Sequence, residues 1–91
     1  MRVNHIKGPA GSGKSTMLQA VMKQQGARNC LLIGGHSTTK GVIQALERRP
    51  NVTTLLIDDF DGRRINLKKI AQHERACQLV VHVAHTATGA A

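Results

Sequence analysis

Apolar residues along this chain fall in short runs separated by glycine-rich or polar breaks, and the runs have two different periods. Val3 and Ile6 mark a short strand within residues 1–7, which a glycine-rich turn closes. From about Lys14 to Gln25 the apolar residues Leu18, Val21 and Met22 follow Met17 at offsets of 1, 4 and 5. That spacing lines one face of a helix, and Gly26 is placed to cap its end. Residues 29–33 (NCLLI) read as a buried strand stopped by Gly34-Gly35. Ser37, Thr38 or Thr39 can cap a second helix running to about Arg49, with Val42, Ile43, Ala45 and Leu46 inward. Pro50 and Asn51 break it. Residues 52–57 (VTTLLI) form a third strand ending in Asp58-Asp59, and Asp61-Gly62 signals a turn. A third helix is expected from about Arg63 or Asn66 to Cys77, then a fourth strand over 78–84 (QLVVHVA) and a tail.

Strand and helix thus alternate over 1–91 as one domain. The pattern implies an α/β fold with a parallel sheet, covering helices and right-handed crossovers. No internal repeat or linker interrupts it. Ninety-one residues permit only a modest core. Phe60 is the single residue of the Phe, Tyr and Trp class, so that core is aliphatic. Ligand binding or self-association would add stability to a core of this size.

Thirteen Lys and Arg against five Asp and Glu give a formal net charge of +8. Such an excess favours polyanions (nucleotide phosphates, nucleic acid or acidic proteins), and it also keeps a small protein soluble. The lack of aromatics speaks against a surface on which single-stranded bases stack. Cys30 and Cys77 sit in or beside apolar runs without metal-ligand spacing, which suits free thiols in a cytoplasmic protein. No apolar run has membrane-spanning length.

The sharpest chemical signal is Gly8-Pro9-Ala10-Gly11-Ser12-Gly13-Lys14-Ser15, a complete G-x-x-x-x-G-K-[ST] between a strand and a helix. Glycines let the backbone wrap so that successive N–H groups face phosphate oxygens. The following helix turns its positive dipole end on the same anion. Lys14 would reach the β- and γ-phosphates, the Ser15 hydroxyl would ligate Mg²⁺, and Thr16 would touch the α-phosphate. A second signal is Leu55-Leu56-Ile57-Asp58-Asp59-Phe60, an apolar strand with acids at its tip. There Asp58 would hold Mg²⁺ through its water shell, and Asp59 would orient the attacking water.

On these two motifs the chain resembles the P-loop NTPase superfamily, in the division where a strand separates the P-loop strand from the acidic strand. That division includes AAA+ and recombinase-like ATPases. The run LLIDDF resembles replication-initiator and helicase-loader ATPases in particular. The resemblance implies a sheet of order 2-3-4-1, ATP and Mg²⁺ as ligands, and ATP hydrolysis. It implies a polar sensor at the end of the fourth strand, for which His85 and Thr86 are candidates; His82 alternates away from Val81 and Val83 and reads as structural. It also implies an arginine finger, for which Arg63 and Arg64 are best placed and Arg48 and Arg49 are alternatives. A fifth strand and a helical lid, common in the family, are not supplied by these residues. Strand 1 would then be an open edge, expected to be covered in a homo-oligomer or by a protein partner. Sedimentation with and without ATP reads that directly. The resulting expectation is an ATP-binding protein with weak, Mg²⁺-dependent, partner-stimulated hydrolysis. The alternatives are a non-catalytic binding module and a small nucleoside or nucleotide kinase. The size suits a compact phage genome, and no guanine-reading Asn-Lys-x-Asp run is present.

Overall fold

The two richest apolar runs become the two central strands of a sheet. The computed structural model describes residues 1–6, 14–34, 36–60, 62–73 and 78–85. Its elements are β1 (Arg2–Ile6), α1 (Lys14–Gln25), a 3₁₀ turn (Ala27–Asn29), β2 (Cys30–Ile33), α2 (Thr39–Arg48), β3 (Thr54–Phe60), α3 (Leu67–Ala71) and β4 (Val80–His85). All four strands are parallel, in the order β1-β4-β3-β2, which reads 2-3-4-1 from the opposite edge. β1 and β2 are therefore the edge strands.

Strand alternation divides the core into two layers. Leu55 and Ile57 of β3, with Val81 and Val83 of β4, pack against Val42 and Leu46 of α2 and Ile70 of α3. Leu56 and Ala84 point the other way and pack with Cys30 and with Leu18 of α1. Helices thus cover both faces, as a parallel sheet requires. The α1 layer is the thinner one, with four buried residues backed by half-buried Ile6, Val21 and Met22.

Local chemistry sets the helix ends. The Thr38 side chain accepts from the Gly41 N–H at 3.1 Å and caps α2. Asn66 accepts from the N–H groups of Lys68 and Lys69 and caps α3. Gly26 follows α1 at φ 90°, its N–H donating to the Met22 carbonyl at 2.9 Å. A side chain at that φ would be strained.

Four expectations need correction. α3 ends at Ala71 rather than running to Cys77, and His73 N–H closes a turn onto the Ile70 carbonyl at 3.0 Å. After Ile70 the sequence offers Gln72 and His73, with no large apolar side chain to dock another turn. Residues 74–77 lie outside the described ones. β3 begins at Thr54, because the Val52 N–H is already bonded to the Arg49 carbonyl in the turn after α2. It then continues through both aspartates to Phe60. Met17 is 51% exposed instead of buried, since it lies about 100° around α1 from Leu18 and misses the thin layer.

Two polar groups in the α1 layer are shaped by burial. Burial pushes the Cys30 thiol up, partly offset by the Arg49 cation and a Thr54 hydrogen bond, so the thiol stays protonated. Burial pushes the His82 imidazole below its ordinary value. A histidine depressed in the fold binds its proton more readily once unfolded, at ~6.5. His82 therefore leaves stability unaffected well above that pH and costs stability as pH falls below it. The expected result is a urea midpoint that drops between pH 7.5 and 5.5, and drops less in His82→Gln. Equal slopes in the two proteins would refute this role.

Candidate functional site

Parallel pairing brings the C-terminal ends of all four strands to one end of the sheet. The chain leaves β1 toward α1 on one face and leaves β3 toward α3 on the other, with β4 between. In open α/β sheets the crevice beyond the strand ends, where connections depart to opposite faces, is the usual ligand position. Here that crevice is bordered by Ile6 at the end of β1, by Asp58–Phe60 at the end of β3 and by His85 at the end of β4.

The end of β3 carries a β-bulge. Ile57 pairs with Val83 and Phe60 with His85, so three steps on β3 oppose two on β4. The extra residue falls at Asp58-Asp59. Asp59 has φ 52°, among the described residues the one positive φ outside glycine, and its N–H donates to Asp58 Oδ1 at 3.0 Å. Asp tolerates this region better than most residues because its short side chain can bond the local backbone. The bulge has a packing consequence. Without it Phe60 would share the face of Leu56; with it Phe60 packs beside Ile57 in the α2–α3 layer. The slack is taken up by the two carboxylates, Asp58 half-buried and Asp59 exposed. Bulges commonly re-aim side chains beside functional sites.

A cluster of rings closes the neighbouring strand ends. His5 Nδ1 lies 2.7 Å from His85 Nε2, their ring centroids 4.9 Å apart. Phe60 meets His85 edge-on, with centroids 5.4 Å apart and planes at 80°. One of the two imidazoles must donate and the other accept. Sequence reasoning did not single out His5; the one signal was its spacing of two from Val3, which puts both on the face that also carries His85. His82 faces the α1 layer, as its alternation from Val81 and Val83 required.

Lys14 and Ser15 open α1, and Thr16 is exposed in its first turn. Gly8, Pro9, Ala10, Gly11, Ser12, Gly13 and Thr86 lie outside the described residues, as do the side chains of Lys14 and Ser15. Arg63 and Arg64 are exposed in the turn after β3. That turn is fastened to the start of α2: Thr39 N–H donates to the Arg64 carbonyl at 3.2 Å, and Asn66 N–H donates to Thr39 Oγ1 at 2.8 Å. The alternatives Arg48 and Arg49 belong to the other end of the sheet. Arg49 caps α2 there and donates through Nη2 to the Arg28 carbonyl at 3.2 Å. Its guanidinium ties α2 to the 3₁₀ turn and is remote from the strand tips.

Among the described residues no three His, Cys, Asp or Glu side chains gather to hold a metal by themselves. A Mg²⁺ shared with phosphates and water needs no such cluster; one carboxylate and one hydroxyl suffice. No described helix is long and apolar enough to cross a membrane. No family model matches the chain, and comparison with curated proteins and with solved structures finds no similar protein.

Proposed function

We propose that this protein binds ATP with Mg²⁺ at the C-terminal ends of β1 and β3 and hydrolyses it slowly. The observation that carries the reading is positional. The G-x-x-x-x-G-K-S run joins β1 to α1, and the paired aspartates lie near the C-terminal end of β3, two strands away across β4 in a parallel sheet. In this reading the loop amides and the Lys14 ammonium neutralise phosphate charge. The Ser15 hydroxyl and the Asp58 carboxylate hold the metal, both being the hard oxygen donors that Mg²⁺ prefers. Mg²⁺, when bound, offsets charge on the β- and γ-phosphate oxygens. Asp59 accepts a hydrogen bond from water and aims it at the γ-phosphorus, for direct transfer without a covalent intermediate. His85, held by His5 and Phe60, keeps the end of β4 in place between the two motifs. Arg63 and Arg64, in the turn that follows β3, supply a cation for a partner-stimulated step.

The test is equilibrium binding of Mg·ATP beside phosphate release, on wild type and Lys14→Ala. The variant is expected to lose roughly 10- to 100-fold in affinity, the effect of one hydrogen bond to a charged group. Binding without phosphate release in the wild type would favour a non-catalytic module. Transfer to an added nucleoside would favour a kinase. A wild type that binds no nucleotide would overturn the proposal.

A further inference from the structure

We infer that the outer face of α2 and α3 docks on the phosphate backbone of duplex DNA, independently of the nucleotide reading above. A groove of about 490 Å³ runs between the two helices, lined by Thr39, Lys40, Ile43, Gln44, Glu47 and Lys69. Lys40 and Lys69 supply ammonium groups from opposite walls. The lining continues into a cationic surface: Lys40 and Arg48 on α2, Lys68 and Lys69 on α3, and Arg63 and Arg64 in the turn that Thr39 fastens beside Lys40, all exposed. Against these, Glu47 is the one carboxylate among the described residues of α2, α3 and the 62–66 turn. It lies toward the other end of the groove, 3.3 Å from His73 Nε2. The surface therefore has a polarity, strongly positive at the helix starts.

Charge complementarity selects the partner. A chain carrying +8 places Lys40, Arg48, Arg63, Arg64, Lys68 and Lys69 on these two helices and their turn, and a backbone of regularly spaced phosphates is the complementary polyanion. Single strands are a poorer match, because the chain has one aromatic residue and Phe60 is committed to His85. B-form DNA is a better match than duplex RNA. Its major groove admits a helix, so α2 can lie along it with flanking lysines on the phosphates, whereas the major groove of A-form RNA is too narrow. Gln44, in the middle of the α2 stripe, is the side chain offered to base edges; the rest is sequence-independent.

The experiment is fluorescence anisotropy with a labelled 20-base-pair DNA of mixed sequence, across 50–200 mM salt. Wild type is expected to bind with log K falling steeply in log[salt], by about 0.9 for each phosphate neutralised. Lys40→Ala/Lys69→Ala is expected to weaken binding about tenfold at low salt and to flatten the slope by about 2. Lys23→Ala/Arg28→Ala removes the same charge from α1 and the 3₁₀ turn, and is expected to leave the slope nearly unchanged. Matching circular dichroism and urea midpoints confirm that each variant folds. The inference is overturned if wild type does not bind at 50 mM salt, or if the control pair loses as much as the groove pair. It is equally overturned if single-stranded DNA, duplex RNA or polyglutamate binds more tightly than duplex DNA. Loss of DNA binding in Lys14→Ala would relocate the site to the nucleotide loop and overturn it too.

Discussion

Truncating Leu56 to Ala lowers the free energy of unfolding by about 3–4 kcal/mol, near the middle of the range for fully buried leucines. Leu56 has no exposed surface and lies at the centre of the four-residue cluster that holds α1 to the sheet. Its neighbours there are Leu18, Cys30 and Ala84, two of which are small. Half-buried Ile6, Val21 and Met22 form only a partial second ring, so little apolar volume stands ready to collapse into the space. A 91-residue domain has on the order of 5–14 kcal/mol in total, so the loss is a large share. The same cluster seats α1, which begins at Lys14, on the sheet. Urea unfolding followed by circular dichroism measures the effect, with the m-value checked for loss of two-state behaviour. Leu31→Ala is the comparison: it sits on edge strand β2 at 9% exposure and belongs to the thicker layer. It should lose less. A Leu56→Ala protein within about 1 kcal/mol of wild type would mean that this face is not a packed layer.

How much of this arrangement could be read beforehand depended on whether the determinant was local. The alternation of strands and helices was legible because each apolar run carries its own period. The α2 cap was legible to within Ser37, Thr38 or Thr39, of which the structure selects Thr38, and Gly26 was legible as the end of α1, because capping is decided within a few positions. The neighbour relations of the strands were different: periodicity says nothing about them, and they were available only as an implication of the resemblance. Three features depended on distant partners and were missed. The length of α3 is limited by what its last turn would pack against, so residues after Ile70 could not be assigned from helical propensity. The exposure of Met17 follows from how little of α1 the sheet covers. The bulge at Asp58-Asp59 is set by the pairing of Phe60 with His85, and so by β4 as much as by β3. His5 escaped notice for a similar reason, its partner lying 80 positions along the chain. The aspartates themselves stood out as acids at a strand tip; the backbone that presents them did not.

That backbone shapes the second large expected effect. Asp59→Asn should reduce phosphate release by about 10²–10⁴-fold, the usual contribution of a positioned acid–base group. Nucleotide affinity should stay close to wild type. The substitution is clean on structural grounds. Asparagine is isosteric and, with aspartate, is among the residues that best tolerate the φ of 52° at this position. The Asp59 N–H that bonds Asp58 Oδ1 is a backbone group and survives the change. Asp58 therefore keeps its local partner, and the proposed metal-holding and water-orienting roles separate experimentally. Asp58→Asn should instead weaken the dependence of binding on Mg²⁺, since it removes the charge nearest the metal in the proposed arrangement. A β-branched residue such as Val at 59 would be a poor probe, because strain at positive φ would disturb the bulge and with it Phe60 and His85. Single-turnover phosphate release, with binding measured on the same samples, distinguishes the roles. If Asp59→Asn turns over like wild type, the attacking water is oriented by another group, and residue 59 is left with a conformational role at the bulge. If binding and turnover fall together, Asp59 contributes to holding the nucleotide, and the division of labour between the two aspartates is the reverse of the one proposed.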